Sequence, residues 1–186
     1  MAPLHPATVH YPIGLFSLSF ALDALQVLPH LARGLTWLKL MPPAAVVNTI
    51  SHYACGAGLL MAGPTVLSGA WELFKMWTGQ IKEKKTIQAT VTDAIEKKDV
   101  AGEKLKVALT HATINDVVMA IAAYNWWIRR VDRDLALPLF NATLSALALP
   151  LFFYSAHLGG SLVYKYGMGV QKDGEGREIK KKENKE

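Results

Sequence analysis

The run AAVVNTISHYACGAGLLMAGPTVLSGAW, residues 44–71, contains no Asp, Glu, Lys or Arg. It is longer than the about 20 apolar residues that a helix needs to cross a hydrocarbon core. Such a stretch predicts a membrane-spanning helix, and three more stretches qualify, at 11–28, 109–128 and 135–158. The expected fold is therefore all-α: an integral membrane four-helix bundle over residues 1–170, followed by a disordered charged tail over 171–186. Asp23 in the first span and Asn115 and Asp116 in the third are tolerated where they face the bundle interior and find partners. They favour a packed bundle over separate anchors.

Composition agrees. Of the 186 residues, 51% are hydrophobic, and mean hydropathy is positive although one loop and the tail are rich in lysine. Apolar blocks segregated from charged ones have that profile; a soluble core does not. The single cysteine, Cys55, excludes an internal disulfide framework, a CxxCH haem attachment and a cysteine-built zinc cage. The net charge of +5 lacks the aromatic interleaving of a nucleic-acid binder, so nucleic acid is excluded as a partner and the lipid bilayer is expected. The first apolar run has no basic leader and no clear cleavage site, so it is expected to remain as an anchor.

Prolines and glycines punctuate the spans. Pro12 suits a first helical turn, and Pro64 and Pro150 fall inside spans, where they predict kinks. Gly56, Gly58, Gly63 and Gly69 predict that a neighbour approaches the second helix closely. The lysine-rich loop 75–106 is compatible with an amphipathic helix on the membrane surface.

Four sequential spans sort the side chains by depth. The side where the first helix begins, here the near side, also receives the end of the second helix, the start of the third and the end of the fourth. His10, His111 and His157 thus arrive at one depth from three helices. His5 lies beside them, with Glu72, Asn115 and Asp116 as groups able to orient an imidazole. Two such histidines can ligate a b-type haem, and three with a carboxylate can hold iron or another transition metal. The competing reading is that these histidines only cap helix ends or tie helices together. On the far side His52 and Asp23 are expected at similar depth as a structural pair, with Arg129 or Arg130 competing for the acid. His30 is expected to be exposed. The basic residues place both termini on the cytosolic or matrix-like side, although Arg129, Arg130 and Arg133 oppose that count.

The opening HPATVHYPIGLFSLSFALDAL and the closing HLGGSLVYKYGMGV resemble the two ends of a family of predicted membrane proteins known as domain of unknown function 2231. His111 with Asn115 fits that family's third-helix histidine. The resemblance runs from about His5 to Val170 and implies four transmembrane helices, with 75–106 as an insertion. Likeness to other four-helix membrane cytochromes implies haem b and electron transfer, with a redox partner. The alternative is a structural or assembly subunit of a larger membrane complex, without its own cofactor. Homo-oligomerisation is compatible with either. Proton-coupled transport is disfavoured by the lack of inverted repeats, and hydrolase motifs such as GxSxG and HExxH are absent.

Overall fold

With no water inside a bilayer, backbone polar groups must be satisfied within each segment, which helices do. The computed structural model describes residues 8–27, 42–86 and 91–166, and among these it contains helices and no strand. The helices are α1 (His10–Ala24), α2 (Ala44–Thr86), α3 (Val91–Ile128) and α4 (Leu139–Tyr164). Three contain segments long and apolar enough to cross a membrane: Ala44–Lys75, Gly102–Ile128 and Leu139–Tyr164. The first helix is shorter than its expected span of 11–28. It gives way to a turn after Ala24, and its 15 residues rise only about 22 Å. The described residues of the 75–106 loop are helical, but they prolong α2 to Thr86 and α3 back to Val91 rather than forming an element of their own. The 171–186 tail lies outside the described residues.

Side chains are distributed inside out relative to a soluble protein. Ser19, Asp23, Asn48, Ser51, Asn125, Arg129, Asn141, Ser145 and Ser155 are buried, while Leu60, Leu67, Trp127, Leu147, Leu151 and Phe153 are exposed. A surface of large apolar side chains around a polar interior suits a hydrocarbon solvent.

The buried polar groups at the far end form one network that reaches all four helices. Arg129, the residue after α3, donates from Nη1 to Asp23 Oδ1 of α1 at 3.2 Å, and both side chains are fully buried. Its Nη2 donates to Ser51 Oγ of α2 at 3.2 Å, and Ser51 Oγ in turn donates to Asp23 Oδ1 at 2.5 Å. The second carboxylate oxygen accepts from Ser145 Oγ of α4 at 3.1 Å. Asn125 Nδ2 donates to Ser145 Oγ at 2.8 Å, and Asn141 Nδ2 donates to Asn125 Oδ1 at 2.9 Å. Asn48 Nδ2 ties in the following loop by donating to Asp134 O at 2.9 Å. Both charges are thus paired and hydrogen-bonded, the condition under which burying them is tolerable. The network gathers the end of α1, the start of α2, the end of α3 and the start of α4, which makes the bundle up-down-up-down. Each helix packs on its chain neighbours, and α1 on α4 closes the ring.

Next to the network lies an apolar core of Phe16, Phe20, Cys55, Ala62, Val118, Ala122, Ala148 and Phe152. Phe16 stacks on Phe20 with centroids 6.0 Å apart and meets Phe152 edge-on at 5.9 Å. Two glycines of α2 make room for rings, because a Cβ at Gly58 would sit 2.8 Å from Phe16 and one at Gly56 2.7 Å from Trp126. Gly63 faces open space. Pro64 lies exposed within α2, where it removes one helical N–H. Just beyond it, Thr65 Oγ1 donates to Met61 O at 3.3 Å and Ser68 Oγ to Thr65 O at 2.9 Å.

Aromatic side chains paired with cations mark two levels along the bundle. On the far side Arg130 lies over the Trp127 ring at 3.9 Å, and Arg133 lies over Tyr53 at 5.5 Å while donating to its hydroxyl at 2.7 Å. On the near side Lys75 lies over Trp71 at 5.3 Å. From Tyr53 to Trp71 an ideal helix rises about 27 Å, close to the thickness of a hydrocarbon core. Interfacial aromatics with snorkelling cations have this arrangement.

Gly58→Val is expected to destabilise the protein by about 1–3 kcal/mol in mild detergent, because the Phe16 ring has nowhere to move without disturbing the core. Gly63→Ala is expected to be neutral or slightly stabilising, since alanine is the better helix former. Thermal unfolding of the two variants checks both.

Candidate functional site

At the opposite end from the polar network the helices enclose a cavity of about 350 Å³. Its apolar wall includes Ile13 and Phe16 of α1, Met119 of α3, and Phe152 and Leu162 of α4. Its polar wall is Glu72 and Thr65 of α2 with His111, Asn115 and Asp116 of α3. Inward positions recur every three or four residues on each helix. Ala108, His111, Asn115 and Met119 share one side of α3, and Ala62, Thr65, Gly69 and Glu72 one side of α2.

His111 is the best-positioned group in this cavity. Its Nδ1 lies 2.8 Å from Ser155 O. A carbonyl can only accept, so Nδ1 carries the proton. Ser155 Oγ sits 3.0 Å from the same nitrogen and donates to His111 O at 3.3 Å. In the neutral ring Nε2 then keeps its lone pair, and Asn115 Nδ2 lies close to both ring nitrogens, 3.1 Å from Nε2 and 3.4 Å from Nδ1. Gly159 completes the seat, since a Cβ there would come 2.9 Å from His111 Cε1. The bond to the Ser155 carbonyl thus holds the ring in one tautomer and one orientation. Tautomer control of this kind is what acid–base chemistry or metal ligation by imidazole requires.

The other expected members of the cluster are placed differently. Glu72, Asn115 and Asp116 line the cavity with His111, whereas His10 and His157 are exposed and do not line it. Helical geometry explains both. Ser155 points inward, and His157 two residues on is turned about 200° away. In α1 the inward positions are Pro12, Phe16, Ser19 and Asp23, and His10 falls off that face. Among the described residues no three His, Cys, Asp or Glu side chains gather as a metal-ligand group. His5 and His30 lie outside the described residues. Glu72 also pairs with Lys75, one helical turn on, at 3.7 Å.

On the far side the expected His52–Asp23 pair is not formed, because Arg129, the competing partner, holds the acid. A permanently charged guanidinium satisfies a buried carboxylate with more donors than an imidazole offers. His52 instead stacks on Trp126, with centroids 5.7 Å apart and planes inclined by 10°. A hollow at this end lined by Thr49, Ile50, Val131, Asp132, Arg133 and Asp134 is wide open to the outside. There the Asp132 carboxyl is pushed above the usual carboxylate range by its hydrogen bond with Asp134, whose own carboxyl is held below it by the same bond.

Ser155 and the serine–asparagine network were not among the residues singled out from sequence, although a signal for the network was present. Each helix end carries a polar pair three or four residues apart: Ser19 with Asp23, Asn48 with Ser51, Asn125 with Arg129, and Asn141 with Ser145. Such pairs share a helix face, and four of them at one depth mark a polar interior.

Nitrogen-15 spectra of histidine-labelled protein in detergent at neutral pH are expected to show one imidazole locked with Nδ1 protonated and Nε2 bare, and His111→Gln is expected to remove that signal.

A family model described as Predicted membrane protein (DUF2231) matches residues 1–172, nearly the whole chain and both terminal motifs. No curated protein and no solved structure matches it. The inside-out bundle and the span of that match lead to one conclusion: the chain belongs to the DUF2231 family of predicted membrane proteins.

Proposed function

We propose that this membrane protein binds a small amphiphilic molecule taken from the bilayer, with His111 as the residue that receives its polar group. The observation that carries the reading is the cavity itself. It is mainly apolar, it opens between four helices, and its few polar groups converge on an imidazole of fixed tautomer. An apolar site with a small number of oriented polar groups is the usual form of a small-molecule pocket. Ile13, Phe16, Met119 and Leu162 would take the apolar body, and His111 Nε2 would accept a hydrogen bond from the head.

A second reading, a b-type haem or transition-metal electron carrier, is favoured by one feature. The Nδ1–H bond of His111 to a backbone carbonyl is the support that metal-ligating imidazoles commonly have. Such a group would supply one-electron transfer when bound. His111 fits it as a single ligand. The trio of His10, His111 and His157 does not fit in this arrangement, because the other two rings lie outside the cavity.

The experiment is to purify the protein from membranes in mild detergent, record its absorption spectrum before and after dithionite, and identify retained small molecules by mass spectrometry. The expected result is a colourless protein with a retained amphiphile that Met119→Trp, which fills the cavity, displaces. A stoichiometric Soret band lost in His111→Ala would replace this reading with the haem one. A folded protein that retains neither would favour a structural or assembly subunit.

A further inference from the structure

The lining of the His111 cavity is one-sided in charge. Among the described residues it includes two carboxylates, Glu72 and Asp116, and no Lys or Arg. Glu72 is partly offset by Lys75, whereas Asp116 has no ion pair among the described residues. Hydrogen-bond acceptors also predominate, because His111 Nε2 and the carboxylate oxygens accept, the Thr65 hydroxyl donates to Met61 O and the Asn115 amide nitrogen lies against the His111 ring. A head group rich in N–H donors and positively charged complements this wall, whereas a carboxylate or phosphate head would meet repulsion.

The route in is marked as well. A shallow groove on the outer surface between α2 and α3 is lined by Leu59, Gly63, Leu67 and Ala120. Ala62, Val66, Asp116 and Met119 line both this groove and the inner cavity. Groove and cavity therefore share one wall. Among the described residues the α2–α3 contact is also the least extensive of the four between neighbouring helices. An exposed acid on a membrane-spanning segment is costly, and Asp116 stands at this shared wall.

Resting on the amphiphile-binding reading above, we propose that the ligand is a cationic amphiphile, an alkylamine in its simplest form, that enters sideways from the bilayer between α2 and α3 past Asp116. The ammonium group would pass from Asp116 toward His111 Nε2 and Glu72 while the chain stays against apolar side chains throughout.

The test offers the purified protein an equimolar mixture of dodecylamine, dodecanol and dodecanoate and measures retention by native mass spectrometry. The amine is expected to be retained over the acid by about tenfold or more, and Asp116→Asn, an exposed change that leaves the fold intact, is expected to remove most of that preference. Ala120→Trp, which fills the outer groove alone, is expected to slow amine uptake about tenfold while leaving the final occupancy unchanged. Equal retention of the three probes, or preference for the alcohol or the acid, would overturn the cationic ligand and leave the cavity reading standing. Uptake unchanged in Ala120→Trp would overturn the lateral route. Retention of none of them would overturn the cavity reading together with this proposal.

Discussion

A fully buried carboxylate and guanidinium, Asp23 and Arg129, hold this bundle in register. Neither can be left alone away from water, since removing one partner of a buried pair typically costs about 3–5 kcal/mol. The need to satisfy both dictates what surrounds them. Ser51 comes from α2 and Ser145 from α4 to occupy the carboxylate's remaining lone pairs, and Asn125 and Asn141 extend the chain of bonds across α3 and α4. Apolar contacts cannot fix helix order in lipid, because lipid tails are as apolar as leucine. A four-way polar junction can, because any other arrangement strands a charge.

With the far end fixed in this way, the near end can be looser. There the helices are joined by His111 with Ser155, by Tyr166 Oη donating to Glu103 Oε2 at 3.1 Å and by a small apolar cluster of Ala108, Leu162 and Tyr166, and they leave a cavity. The two ends divide the work physically. One is dense, polar and sealed; the other is hollow, mainly apolar and touched by acceptors. The proposed binding role and its preference for a cationic head both belong to the hollow end.

Much of this was legible in the sequence, for stated reasons. The uncharged run 44–71 predicts a spanning helix by length alone, and sorting by depth expects His111, Asn115, Asp116 and Glu72 at one end, where they line one cavity. Depth is only one coordinate, however. His10 and His157 share the depth of His111 but lie on the wrong faces of their helices, and the inward phase of α1 and α4 is set by Phe16, Asp23, Ser145 and Ser155. Apolar periodicity is weak in a membrane helix because both lipid and core are apolar; small polar residues carry the phase instead. Read that way, the pairs Ser19–Asp23, Asn48–Ser51, Asn125–Arg129 and Asn141–Ser145 point to the interior. The choice of Arg129 over His52 as partner of Asp23 depends on reach across the bundle, which one-dimensional spacing does not encode.

A double-mutant cycle on Asp23→Asn and Arg129→Gln, with stability measured by reversible unfolding in mixed micelles, tests the ion pair's organising role most directly. Each single change is expected to be strongly destabilising, the pair of changes less so than their sum, and the coupling about 2 kcal/mol or more. Additive effects, with a coupling below about 0.5 kcal/mol, would contradict the claim that this pair organises the bundle.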